Sequence, residues 1–174
     1  SKVFKVQHGL QGKVFALKLF HESVSLNSVI DEYNALRELN HQNIVKFVWN
    51  DRFNAQFYTL MEYLDGEDMS LYLRGELNLP TSKVYQLAKE MLSALSAMQK
   101  QTPPLIHRDL KPQNIIWDNK KRFVLIDFNV ASVFEASTDY VGTNPYIAPD
   151  LVQTNMKVLW DTSADPFALG ITLY

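Results

Sequence analysis

The spacing of apolar positions changes along the chain, and each change predicts an element. Val3, Phe4 and Val6 are interleaved with polar residues, a glycine-containing turn follows at His8-Gly9-Leu10-Gln11-Gly12, and Lys13 to Phe20 resumes the strand pattern, which predicts a β-hairpin. Between Ser28 and Leu39 the period lengthens: Val29, Tyr33, Leu36 and Leu39 form a helical stripe, with Ser28 and Asp31 spaced as a capping box. Ile44 to Trp49 and Phe57 to Glu62 predict two more strands joined by a polar turn around Asn50-Asp51-Arg52. Thr81 to Gln99 predicts a long helix with Val84, Leu87, Met91, Leu95 and Met98 on one face, opened after Pro80 and closed before Pro103-Pro104. Two short apolar runs, Ile115-Ile116-Trp117 and Phe123-Val124-Leu125-Ile126, predict a hairpin turned at Asp118-Asn119-Lys120. From Asn129 to about Asp150 the pattern is that of a loop.

Composition narrows the classes. At 174 residues the chain is the size of about one domain, and 47% hydrophobic with 21% charged residues is an ordinary globular balance. A net charge of −2 gives no basic excess for nucleic acid, so none is expected as a partner. The absence of cysteine excludes disulfides, thiolate metal sites and thiol nucleophiles. No apolar run approaches the length of a membrane span, and the first residues lack the pattern of a signal peptide.

The candidate chemistry is concentrated in Leu105-Ile106-His107-Arg108-Asp109-Leu110-Lys111-Pro112-Gln113-Asn114-Ile115-Ile116, followed by Val124-Leu125-Ile126-Asp127-Phe128-Asn129. Asp109, Asn114 and Asp127 are two acids and an amide pinned between apolar runs. These are the residue types a phosphoryl-transfer site uses to take a hydroxyl proton and to hold a divalent cation on a nucleotide. The hairpin between them would hold Asn114 and Asp127 at neighbouring ends. In the second strand, a period of two puts Val14, Ala16 and Lys18 on one face. Ala16 there leaves room for a flat base and Lys18 can reach phosphate. Gly9 and Gly12 sit at a hairpin tip and are not read as a phosphate loop.

These residues resemble the eukaryotic-type serine/threonine protein kinases. Residues 107 to 114 match the family's H-R-D-L-x-x-x-N, Asp127-Phe128-Asn129 stands for D-F-G, and Phe15-Ala16-Leu17-Lys18 stands for V-A-I-K. Gly142-Thr143-Asn144-Pro145-Tyr146-Ile147-Ala148-Pro149-Asp150 resembles G-T-x-x-Y-x-A-P-E, and Asp165-Pro166-Phe167-Ala168-Leu169-Gly170 resembles D-x-W-x-x-G. Matching motifs run from Val3 to Gly170. The resemblance implies an α+β, two-lobed protein-kinase-like fold. Residues 1–61 would be an antiparallel-sheet small lobe, 62–68 a hinge, and 69–174 a mainly helical large lobe whose central helix begins near Asp161. It also implies truncation at both ends, with the glycine-rich loop before Val3 missing, and therefore little activity in the 174-residue chain alone.

The same resemblance assigns roles. Asp109 would be the catalytic base, Lys111 would offset charge on the phosphoryl group, and Thr143 would bridge the two. Asn114 and Asp127 would hold Mg2+. ATP would be held by Lys18 at the inner phosphates, with Glu32 orienting that lysine as a surface ion pair of little weight in stability. Val3, Ala16 and Ile116 would sandwich the adenine, Met61 would border the pocket, Glu62 and Leu64 would offer hinge backbone, and Asp68 would meet the ribose. Leu36, Phe47, Phe128 and His107 would stack between the lobes, and Asp165 would accept backbone hydrogen bonds near His107. Lys111 points to the serine/threonine branch, and so to protein substrates with Ser/Thr acceptors.

Departures from the family pattern carry their own expectations. Asn129 replaces a glycine, and Asn is the non-glycine residue most at ease at positive φ, so the geometry is expected to be kept with less mobility. Asp150 stands where the family has Glu. Arg108 could pair with a phosphate on Ser132, Ser137, Thr138 or Tyr140, or with Glu135 or Asp139. A pseudokinase scaffold would be favoured by loss of Lys18, Asp109 or Asp127, and all three are present. A small-molecule phosphotransferase of the aminoglycoside-kinase type is disfavoured by Lys111 and by the Gly142 to Asp150 segment. An intracellular setting and regulatory domains outside these residues complete the expectations.

Overall fold

The computed structural model describes residues 1–22, 24, 26–54, 56–73, 79–133, 142–143, 145–152 and 160–174. Glu135, Ser137, Thr138, Asp139, Tyr140 and Asn144 therefore lie outside the described residues. The chain opens with β1 (Lys2–Gln7) and β2 (Val14–Leu19), paired antiparallel, then α1 (Leu26–Arg37), β3 (Phe47–Phe53) and β4 (Gln56–Glu62). These strands form one antiparallel sheet in the order β1-β2-β4-β3. After it come β5 (Gly66–Asp68), α2 (Ser70–Leu73) and α3 (Thr81–Gln99), then β6 (Leu105–Ile106), β7 (Ile115–Asp118), β8 (Phe123–Leu125), β9 (Ser132–Val133) and α4 (Ala164–Leu173). The sheet-first, helix-later arrangement is the α+β, two-part architecture expected from sequence.

Several boundaries differ from the sequence expectation. The first helix begins at Leu26, so Ser28 lies inside it and is not its cap. The turn expected at Asn50-Asp51-Arg52 is strand: β3 runs on to Phe53 and pairs through Phe53↔Gln56, with Asn54 at φ +47 making the reversal. Cross-strand pairing with β4 outweighed the low strand propensity of Asn and Asp. Part of the span 62–68 expected as the hinge is strand, because Gly66–Asp68 pairs antiparallel with β7. A side chain at Gly66 would sit 2.0 Å from the Trp117 carbonyl, so this approach requires glycine. The long loop after Asn129 contains β9, which pairs with β6.

The core joins the two parts. On α3, Leu87, Met91, Ala94, Leu95 and Met98 are buried at helical spacing, and they pack in one cluster with Leu36 of α1, Ile44, and Phe123, Val124 and Leu125 of β8. Burying an aliphatic or aromatic side chain of this size contributes roughly 1.5–3 kcal/mol. Backbone bonds reinforce the junction: Leu125 N–H donates to Asn43 O (2.9 Å) and Val45 N–H donates to Leu125 O (2.9 Å). The β7–β8 hairpin is thereby fastened to the chain entering β3, and residues at its two ends inherit that rigidity.

Candidate active site

The segment after β6 is held by one buried acid. Asp165, in the first turn of α4, accepts the His107 N–H at 2.7 Å and the Arg108 N–H at 2.9 Å. Arg108 has φ +66, a left-handed conformation that is costly for a branched-free L residue and needs such anchoring. Burial pushes the Asp165 carboxyl up, partly offset by His107 and by the two N–H donors. The fully buried His107 ring meets Phe128 edge-on at 4.8 Å, accepts from the Asp109 N–H at Nδ1 and faces Ile126 O with Nε2. Leu36 and Phe128 share the core cluster, and Phe47 packs against it.

Asp109 is thus presented at the end of a fixed backbone, and its carboxylate is surrounded by donors. Thr143 Oγ1 donates to Oδ1 at 2.7 Å, Lys111 Nζ lies 2.7 Å from Oδ2, and Asn114 Nδ2 donates to Oδ2 at 3.1 Å and to the Asp109 carbonyl at 2.8 Å. Lys111 Nζ also donates to Thr143 Oγ1 at 2.7 Å, closing a triangle of Asp109, Lys111 and Thr143. Gly142 sets this up: at φ +94, its missing Cβ would lie 2.4 Å from the Arg108 carbonyl. The chain can cross the segment that carries Asp109 only where no side chain intervenes.

A second cluster gathers on Lys18. Its ammonium donates to Glu32 Oε1 (2.6 Å), Asp127 Oδ1 (2.8 Å) and Asn129 Oδ1 (2.7 Å). Lys18 and Glu32 are 3% and 1% exposed, which corrects the expectation of a weak surface pair. The pair is inside because α1 packs its Glu32 face onto the sheet, whereas Asp31 and Glu38 are exposed. Removing one partner of a buried pair costs about 3–5 kcal/mol. Burial raises the Glu32 carboxyl against the opposing charge of Lys18, and its Oε2 has no hydrogen-bond partner among the described residues. For Asp127, burial acts the same way, but Lys18, His107 and the Asn129 N–H together outweigh it and hold the acid below its usual range. The positive φ expected at Asn129 is found instead at Asp127 (φ +63).

Strand register shows which other candidates come together. Directly opposed residues in an antiparallel pair share a sheet face. Val3 opposes Lys18, and Ala16 opposes both Lys5 and Met61, so Val3, Ala16, Lys18 and Met61 lie on one face. Asp68 opposes Ile116 in β5–β7 and shares its face. Asp68 Oδ1 also accepts the Ser70 N–H at 2.8 Å and the Ser70 hydroxyl, capping α2. Leu64 is buried in the chain between β4 and β5. Glu62 directs its carboxylate away from a ligand role: Oε1 accepts the Lys46 N–H at 2.9 Å and Oε2 meets Arg122 Nη2 at 3.1 Å.

Two contacts were not visible beforehand. Arg122 joins Glu62, Asp118 (3.0 Å) and the Gln42 carbonyl, tying the end of β4 to the β7–β8 turn. A lone arginine in a turn gives no sequence signal of this. The Asn129 side chain reaches Lys18, whereas the sequence reading weighed Asn129 for its backbone alone.

The donor chemistry fits a hard divalent cation. Both hydrogens of the Asn114 amide are directed at Asp109, leaving its oxygen without a donor among the described residues, and Asp127 is held ionised with Oδ2 beyond the Lys18 contact. Two protein oxygens suit Mg2+, which keeps waters and phosphate oxygens in its remaining positions. Among the described residues no group of three His, Cys, Asp or Glu side chains forms an all-protein metal cage. Nor is any helix among them long and apolar enough to cross a membrane.

A family model described as the protein kinase domain matches residues 1–174. The chain is 27% identical over its whole length to serine/threonine-protein kinase Sgk3 of Mus musculus, covering 36% of that protein. It is 30% identical over 99% of its length to serine/threonine-protein kinase dst1 of Dictyostelium discoideum, covering 24% of it. It is 31% identical over its whole length to serine/threonine-protein kinase RUNKEL of Arabidopsis thaliana, covering 13%. The chain thus spans about a third or less of the length of these relatives.

Proposed function

The chain belongs to the protein kinase domain family, and from that premise we propose that its site transfers the terminal phosphoryl group of ATP to serine or threonine hydroxyls of protein substrates. The observation that carries this reading is the triangle of Asp109, Lys111 and Thr143. A carboxylate fixed beside an ammonium is what in-line displacement asks of a protein, since positioning and charge neutralisation supply most of the catalysis. The acceptor oxygen bonds to the terminal phosphorus, the bond from phosphorus to the bridging oxygen breaks, and ADP departs. Asp109 orients the hydroxyl and receives its proton. Lys111 stands where it offsets the charge of the transferred group. Lys18 holds the inner phosphates, oriented by Glu32. Asn114 and Asp127 would hold Mg2+, which neutralises phosphate charge when bound. Adenine would lie against the face carrying Val3, Ala16 and Met61, with Ile116 opposite and Asp68 towards the ribose. The ATP requirement suits an intracellular setting.

The test is acceptor identity. The protein carrying this chain is incubated with Mg2+ and γ-labelled ATP, together with peptides containing Ser, Thr or Tyr alone and with an aminoglycoside. Label on the Ser or Thr peptides is expected. Label confined to the aminoglycoside or to Tyr overturns the assignment, and ATP binding without transfer to any acceptor reduces the site to a binding module.

A further inference from the structure

The Lys18 ammonium has three hydrogens to donate and accepts none. All three are taken by protein oxygens: Glu32 Oε1 at 2.6 Å, Asp127 Oδ1 at 2.8 Å and Asn129 Oδ1 at 2.7 Å. Two of these acceptors belong to the machinery already described. The third is a neutral carboxamide at a position where the family pattern has no side chain. Asn129 is half-buried, and its backbone N–H also supports the Asp127 carboxylate, so the residue is fixed at both ends of this contact. Lys18 itself is 3% exposed, which leaves little room for water to serve as an alternative acceptor.

We propose that the Asn129 side chain is a built-in competitor for the nucleotide phosphates at Lys18, so that it sets the affinity of the site for ATP. The inference rests on the reading that Lys18 holds phosphate. For a phosphate oxygen to reach the ammonium, one of the three acceptors must let go. Glu32 is buried and Asp127 is charged, so the carboxamide, neutral and less buried than Glu32, is the one released. Nucleotide binding therefore includes breaking a hydrogen bond to a charged donor, a contact strong enough to matter when it is not replaced in kind. A nucleoside without phosphates does not approach Lys18 and does not meet this competition. The side chain thus discriminates by phosphate: it weakens ATP and ADP while leaving adenosine untouched.

The experiment measures binding of Mg-ATP, ADP and adenosine to the protein carrying this chain and to its Asn129→Ala, Asn129→Gly and Asn129→Asp variants. Circular dichroism and thermal unfolding check that each is folded. ATP is expected to bind about tenfold more tightly to Asn129→Ala, or ~1.4 kcal/mol by the affinity scale, with adenosine unchanged. Asn129→Asp, which places a charge on Lys18, is expected to bind ATP more weakly than the native protein. The gain from Asn129→Ala should vanish in a Lys18→Met background, because the two residues act through one contact. Tighter binding by Asn129→Gly alone would trace the effect to the backbone and overturn the proposal. So would unchanged or weaker ATP binding by Asn129→Ala, the latter marking the carboxamide as a ligand of the nucleotide complex. If Lys18→Met binds ATP as well as the native protein, or if the native protein binds none, it is the phosphate-holding reading that falls, and the inference falls with it.

Discussion

Replacing Asp165 tests how the site is held together without touching any group placed at the reacting atoms. Its carboxylate is 4% exposed and accepts two backbone N–H groups, at 2.7 and 2.9 Å. Asp165→Ala leaves both donors without a partner in the same enclosed space. An unpaired buried donor costs about 1–3 kcal/mol, so the loss should be about 2–6 kcal/mol of folding stability. That is a large share of the 5–15 kcal/mol typical of a domain. Asp165→Asn keeps the shape and one acceptor oxygen but points an NH2 at the second donor, so about half the loss is expected. The catalytic consequence follows from Arg108, whose left-handed backbone at φ +66 is pinned by the second bond. Once released, it should drift and take Asp109 with it, and misplacement of a positioned group by about 1 Å costs roughly a hundredfold in rate. Urea unfolding would give the stability change, and turnover on a peptide substrate under conditions where each variant is folded would give the second. A stability loss below about 1 kcal/mol for Asp165→Ala would refute the reasoning, as would full turnover in a variant that is measurably destabilised.

Two further outcomes follow from the same geometry. Gly142→Ala would put a Cβ 2.4 Å from the Arg108 carbonyl at a backbone φ of +94, so turnover should fall at least tenfold through displacement of Thr143, in the order of the ~1–3 kcal/mol that such strain costs; unaltered kinetics would show that the contact is not needed. The two acids on Lys18 should titrate apart. Glu32 is raised above its ordinary 4.5, chiefly by burial, so the folded state keeps a proton there that the unfolded state has lost, and its contribution to stability falls as pH rises through that window. Asp127 is lowered below 3.8 because Lys18 and its other partners outweigh burial, so its contribution is present above that value and is lost as pH falls below it. Carboxyl 13C shifts followed through an acid titration should show Glu32 protonating first; the reverse order would contradict the assignment of the buried pair.

Much of the site was legible in the sequence because it is built from short local patterns between apolar runs. Asp109, Lys111 and Asn114 lie within one stretch, and the hairpin that brings Asn114 near Asp127 is written in the alternation of β7 and β8. The helix Thr81–Gln99 was readable to the residue because its stripe is long and uninterrupted. What was not legible depends on contacts distant in sequence. Glu32 lies on the inner face of α1 with Val29 and Leu36, but its tolerance of burial depends on Lys18, which sits on another element; Asp31 beside it faces outward and is exposed. Strand β5 exists because Gly66 lets the backbone lie against Trp117, and three residues carry no periodicity of their own. Asn129 drew notice as a missing glycine, yet its consequence lies in a side-chain oxygen 2.7 Å from a lysine 111 residues earlier.

The central claim is that Asp109 serves phosphoryl transfer and not nucleotide binding, and Asp109→Asn examines it most directly. The substitution keeps the size and one hydrogen-bonding oxygen for Thr143 while removing the carboxylate proposed to take the proton. In the protein carrying this chain, Mg-ATP should bind within about threefold of the native affinity, while transfer to a Ser or Thr peptide should fall at least about a hundredfold, the scale of positioned acid–base catalysis. Undiminished transfer by Asp109→Asn would contradict the account.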